Sequence, residues 1–278
     1  MINFLHNFLP EPILFQFGFI RVYWYGALMV LAILVGLTLA LKLAKIKKIV
    51  SDEVYNLGFY LIIFSLIGAR IYSVFLDLPF YLKNPLEIIA VWHGGLAIHG
   101  AIIGGVLTLL IYSWRKKQSF WSWVDLLAVV LPLGQAIGRF GNYFNQELFG
   151  LPTDLPWGIP IALENRPAQY LSATYFHPTF LYESGLNLVN FFILLFLFYS
   201  LKPKTYNLKN GFIFFIYLIN YSIIRILMEF LRTDPAPLVY GLRLPVAVSL
   251  VIIIASLFFV IARKRSLAYA RDRLRNFD

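Results

Sequence analysis

Seven apolar runs, each about as long as a lipid bilayer is thick, dominate this chain of 278 residues. A hydrocarbon core of about 30 Å is crossed by about 20 residues of α-helix. The runs at about 23–43, 54–76, 95–114, 122–140, 179–201, 211–231 and 244–262 meet that length. With 60% of residues hydrophobic and 14% charged, a soluble domain is excluded. The expected fold is all-α: a polytopic membrane protein of seven transmembrane helices, forming a single integral membrane domain over 1–278. No internal repeat or low-complexity tract divides it.

The basic residues set the expected orientation. Sixteen of the 24 lysines and arginines gather at alternate loops and the C-terminus: Lys42, Lys45, Lys47 and Lys48; Arg115, Lys116 and Lys117; Lys202, Lys204 and Lys209; and Arg263, Lys264, Arg265, Arg271, Arg273 and Arg275. By the positive-inside rule these ends are cytoplasmic, the N-terminus is outside, and the number of spans is odd. The net charge of +10 then reflects topology and attraction to an anionic bilayer, with no nucleic-acid partner expected. The N-terminus lacks the basic n-region and cleavage site of a secretory signal, so no removed peptide is expected. Residues 1–20, with Pro10 and Pro12, read as a short interfacial segment. The stretch 141–178 holds Pro152, Pro156, Pro160 and Pro167 among aromatics, which suits an ordered extracytoplasmic head. The chain has no cysteine, so disulfides, a thiolate metal site and an enzyme thiol nucleophile are excluded. No cofactor and no metal are expected.

Polar residues at membrane depth are the candidate site. The stretch Gly-Arg-Phe-Gly-Asn-Tyr-Phe-Asn-Gln-Glu-Leu-Phe-Gly at 138–150 follows directly on an apolar run. Ionisable groups inside a bilayer cost on the order of 3 kcal/mol or more each unless they are paired or wetted. Arg139 and Asn142 are three apart and share a helix face, with Gln146 one turn further. A guanidinium fork flanked by amides suits a phosphate oxygen pair, and the glycines at 138, 141 and 150 permit close backbone approach. The plainer alternative is a helix end reaching the interface with Glu147 as counter-ion.

Tyr221, Arg225 and Glu229 recur at spacing four in the sixth run, so they form one polar stripe in which Arg225 and Glu229 can pair. A structural ion pair and a binding site both fit this stripe; proximity to Arg139 distinguishes them. His99, beside Gly100 and Gly104, reads either as a general base or as a hydrogen-bonded interhelical histidine, with the glycines at a close helix contact. His177-Pro178 followed by Glu183 reads first as a helix start with an acid in its opening turns. Arg70 and Asp125 lie within spans and are candidates to pair. Tyr25, in Tyr23-Trp24-Tyr25-Gly26, also fits an interfacial aromatic belt.

The 138–150 stretch resembles the signature of bacterial prolipoprotein diacylglyceryl transferases, G-R-x-G-N-F/Y-x-N-x-E-x-x-G. Three further matches follow in family order: Tyr23-Trp24-Tyr25-Gly26, Gly94-Gly95-Leu96-Ala97-Ile98-His99-Gly100, and His177-Pro178-Thr179-Phe180-Leu181-Tyr182-Glu183. The sixth-run stripe, ending Glu229-Phe230-Leu231-Arg232, matches as well, so the resemblance covers about 20–262. Departures are minor: Tyr143 stands where Phe is frequent and Thr179 where Ser is common.

The resemblance implies seven helices with the N-terminus outside, in a bacterial cell membrane. It also implies transfer of the diacylglyceryl group of phosphatidylglycerol to the lipobox cysteine in the signal peptide of prelipoproteins, with release of glycerol phosphate. The residues it points to are Tyr25, His99, Arg139, Asn142, Asn145, Glu147, Gly150, Tyr221, Arg225 and Glu229. On this reading Arg139 and Arg225 clamp the phosphate, the asparagines orient the headgroup, His99 is base or hydrogen-bond partner, and Glu147 and Glu229 orient the arginines. The rival is a transporter of anionic solutes or lipids, with arginines lining its pathway. A retinal protein is excluded, because the seventh run has no lysine, and an H-E-x-x-H protease motif is absent.

Overall fold

The structure, a computed structural model, describes residues 2–18, 20–200 and 211–275. Lys202, Lys204 and Lys209 lie outside the described residues, as do the side chains of the basic residues from Arg263 onward. Among the described residues seven helices are long and apolar enough to cross a membrane. They are α1 (Trp24–Ile46), α2 (Ser51–Leu76), α3 (Ile98–Arg115), α4 (Phe120–Phe144), α5 (Thr179–Ser200), α6 (Phe212–Glu229) and α7 (Leu244–Arg275). The protein is thus a multi-pass, mostly helical membrane protein, with span boundaries within a few residues of those expected, the seventh span being Leu244–Ala262 within the longer α7. Large apolar side chains such as Leu34, Phe59, Ile102 and Ile254 remain exposed along the helices, as lipid-facing surfaces require.

The described residues form two compact units, residues 37–126 and the remainder. In the 37–126 unit, α2 and α3 pack at their glycines. A Cβ on Gly100 would collide with the carbonyl of Gly68, and one on Gly104 with the carbonyl of Phe64, so the backbones meet without side chains between them. His99 is exposed on α3, with its ring tilted against Tyr72 at 5.8 Å.

Arg70 does not pair with Asp125. Its guanidinium is buried and donates to five main-chain carbonyls: Nε to Ile88 (2.9 Å), Nη1 to Gly94 (2.6 Å) and Gly95 (2.8 Å), and Nη2 to Glu87 and Ala90 (3.0 Å). These bonds use every N–H of the side chain. They hold the segment before α3 in a non-helical path, with Gly94 and Gly95 at φ 90° and 68°. This is why α3 starts at Ile98 instead of residue 95. Asp125 pairs instead with Lys47, at 3.6 Å. Burial pulls the Lys47 ammonium below its ordinary pKa, against the opposing pull of Asp125.

In the other unit, a helix at Ile2–Asn7 and a hairpin of Ile13–Phe17 with Ile20–Tyr23 lead into α1. Trp24 then stacks on Phe144 at 4.3 Å. The chain between α4 and α5 packs a small core of Tyr143, Phe149, Ile159, Ile161, Phe176 and Phe180. One short hairpin, Ile159–Pro160 with Tyr175–Phe176, lies within it. Polar contacts tie the helices together at depth. Ser184 donates to the Ala136 carbonyl (2.9 Å), Gln135 to the Tyr217 hydroxyl (3.0 Å), and Asn220 to Asn190 (2.8 Å).

Candidate active site

The sequence starts the site by ending α4 late. The helix runs to Phe144, so Arg139 and Asn142 share its last two turns, and Arg139 Nη1 donates to Asn142 Oδ1 at 3.1 Å. Gln146 is not a further helical turn along. It and Leu148 take left-handed backbone, φ 50° and 55°, on either side of Glu147. The Gln146 amide donates to the Pro10 carbonyl (2.8 Å) and accepts from the Ala162 N–H (2.7 Å), which anchors the turn. The reversal brings Glu147 back toward the helix, where its carboxylate accepts from Asn142 (2.8 Å) and Asn145 (3.4 Å).

Gly150 closes this loop against α5. Its N–H donates to the His177 carbonyl (3.0 Å), and a Cβ there would lie 2.7 Å from the His177 side chain. The Leu151 N–H reaches the Leu231 carbonyl just beyond α6 (2.8 Å). Tyr25, in the first turn of α1, rests its ring over Gly141, where a Cβ would lie 2.6 Å away. The N-terminal ends of α1 and α5 and the C-terminal ends of α4 and α6 therefore collect in one place.

The ion pairs at this place differ from the expected ones. Arg139 Nη2 pairs at 2.5 Å with Glu183 on α5, and Glu147 reaches Arg139 only through Asn142. The second oxygen of Glu183 pairs with Arg232 Nη1 at 3.4 Å, and Arg232 Nε bonds Asp234 at 2.7 Å. On α6, Arg225 Nη2 pairs with Glu229 at 2.8 Å, as the spacing predicts. The other oxygen of Glu229 faces Arg243 Nε at 2.9 Å. Tyr221, one turn below Arg225, stacks with Tyr217. Arg243 Nη1 also donates to the Arg232 carbonyl at 3.1 Å, which joins the two carboxylate-centred groups in one cluster.

Exposure separates the arginines. Arg232 is 4% exposed with Glu183 and Asp234 on it, whereas Arg139 is 24% and Arg225 19% exposed. Each of the latter has one carboxylate partner among the described residues, on one terminal nitrogen. Two cations are thereby fixed from one side and reachable from the other, an arrangement that can receive an anion. Burial holds His177, which contacts the Tyr182 hydroxyl at 3.3 Å, below its ordinary pKa of 6.5. Of the expected site residues, Tyr25, Arg139, Asn142, Asn145, Glu147, Gly150, Tyr221, Arg225 and Glu229 belong to this unit, and His99 to the 37–126 unit.

Four residues of the cluster are not among the expected site residues: Glu183, Arg232, Asp234 and Arg243. Glu183 looked like an acid completing a helix start. The available signal was its position inside an apolar helix, where a carboxylate needs a cation.

Fold and site together define a multi-pass membrane protein with an arginine–carboxylate cluster at one end of its helices. Residues 12–262 match the family described as prolipoprotein diacylglyceryl transferase, and the chain belongs to that family. It is 45% identical over 262 residues to the phosphatidylglycerol--prolipoprotein diacylglyceryl transferase of a Nostoc species, covering 93% of this chain and 92% of that one. Enzymes of the same name from Acaryochloris marina (46% over 243 residues, 87% and 86% covered) and Parasynechococcus marenigrum (46% over 226 residues, 81% of each) are similarly close.

Proposed function

We propose that this protein transfers the diacylglyceryl group of phosphatidylglycerol to the thiol of a lipobox cysteine in prelipoproteins, on the outer side of a bacterial cell membrane. The observation that carries the reading is the pair of partly exposed arginines, Arg139 and Arg225, each backed by a buried carboxylate. Family membership supplies the substrates.

The reaction forms a carbon–sulfur bond as the thiolate attacks the glyceryl carbon. The bond from that carbon to the phosphate oxygen breaks, and its electron pair leaves with glycerol phosphate. Charge develops on the departing oxygen, and the guanidinium groups of Arg139 and Arg225 stabilise it there. Asn142 and Asn145, braced by Glu147, orient the headgroup. Gly150 keeps the loop close to His177, and Tyr25 and Tyr221 line the approach. Glu229 and Glu183 hold the arginines. The thiol, with an ordinary pKa near 8.5, releases its proton to solvent in the cationic field of the arginines. The substrate supplies the sulfur nucleophile, consistent with a chain that has no cysteine.

The test is incubation of the purified protein with phosphatidylglycerol labelled in its diacylglyceryl part and a lipobox peptide. The expected result is a thioether-linked lipopeptide and free glycerol phosphate; no transfer from this lipid overturns the reading.

A further inference from the structure

The short hairpin between α6 and α7 pairs Leu238–Val239 with Leu242–Arg243. Its turn residues Tyr240 and Gly241 both have positive φ, 49° and 79°, the primed geometry that a two-residue hairpin needs. The hairpin delivers Arg243 into the ion-pair cluster. There Nε faces Glu229 at 2.9 Å, Nη1 donates to the Arg232 carbonyl at 3.1 Å, and Nη2 to the Asp234 carbonyl at 2.5 Å. Glu229 is 1% exposed and Arg243 28%.

Charge counting gives this contact a consequence. Arg139, Arg225, Arg232 and Arg243 pair with Glu183, Glu229 and Asp234, and Glu147 joins them through Asn142, so four positive and four negative charges leave the cluster neutral as it stands. Without Arg243 it is anionic. Glu229 would then have Arg225 as its one cationic partner and would close both oxygens on that guanidinium, since a buried carboxylate must be paired. The arginine expected to meet a phosphate would be spent on an internal pair.

We propose that Arg243 is a positioning residue for the anion site: by sharing Glu229 it leaves Arg225 available to a lipid phosphate. The proposal rests on the function proposed above. It concerns a hairpin residue outside the 138–150 signature and the sixth-helix stripe.

The experiment measures the Kd of phosphatidylglycerol in mixed micelles, the turnover number with a lipobox peptide, and the Tm, for wild type and variants. Binding tests the proposal and transfer tests the function beneath it, so the two failures are told apart. Arg243→Gln is expected to weaken lipid binding about tenfold, the size of removing one charge nearby in a partly buried site, with a smaller change in turnover at saturating lipid. Arg243→Lys keeps the charge and is expected to bind within about threefold of wild type even if its Tm falls. In Arg243→Gln combined with Glu229→Gln the cluster is neutral again, and Kd is expected to move back toward wild type while the Tm does not. An unchanged Kd in Arg243→Gln, or a double variant binding no better than the single one, overturns the proposal. Should Arg243→Gln fail to fold, Arg243→Lys decides: a Kd near wild type supports the proposal and a tenfold rise overturns it.

Discussion

Glu183 sits with one carboxylate oxygen 2.5 Å from Arg139 and thereby joins the last turns of α4 to the first turns of α5. Its other oxygen reaches Arg232. One buried side chain therefore sets the position of a partly exposed cation and neutralises a hidden one.

Glu183→Gln is expected to lower diacylglyceryl transfer about a hundredfold, because misplacing a positioned group by about 1 Å costs that much. Glu183→Ala goes further and leaves Arg232 half-paired in the interior, a loss on the order of 3–5 kcal/mol. Rate measurements and thermal unfolding in detergent check the two effects.

Arg139 and Arg232 share a carboxylate and separate in outcome. Arg139→Gln is expected to abolish most transfer with a modest Tm change, since Arg139 is partly exposed. Arg232→Gln is expected to lower the Tm first, because it leaves Asp234 and Glu183 underpaired. Equal Tm losses in the two variants would contradict this division.

Gly141→Ala places a methyl group 2.6 Å from the Tyr25 ring. Overpacking of this kind costs about 1–3 kcal/mol. The ring must move off α4, so reduced transfer with the fold retained is expected, and Tyr25→Phe in the same background distinguishes loss of the ring's position from loss of its hydroxyl.

His177 gives a pH signature. Its folded pKa lies below the ordinary 6.5 because burial disfavours the imidazolium. The folded state therefore binds the proton less readily than the unfolded chain. The contribution is fully present above pH 6.5 and is lost as pH falls through the depressed folded value. Unfolding scans from pH 7.5 to 5, as about five steps, are expected to show this decline, and His177→Asn to flatten it.

Much of this protein could be read from hydrophobicity alone. Helix-long apolar runs leave few options, and the shared helix face of Arg139 and Asn142 and the Arg225–Glu229 pair follow from residue spacing. The partners could not be read the same way. Arg139 lies 44 positions before Glu183, and nothing local says that Glu183, and not the nearer Glu147, is its counter-ion. Arg70 and Asp125 were candidates for each other because each looked like a lone charge in a span. A guanidinium can be satisfied entirely by carbonyls, as Arg70 is, and pattern reading sees side chains better than backbone acceptors. Arg243 lies on a short hairpin just before the seventh run, where no apolar pattern or motif marks it.

The glycine contact between α2 and α3 has a mechanical consequence. With backbone against backbone at Gly68, Gly100 and Gly104, there is no layer of side chains to repack, so neither helix can slide or roll on the other without a clash. The two behave as a single stiff plank. His99 and Tyr72 are fixtures on that plank, and any stroke that carries one carries the other with it.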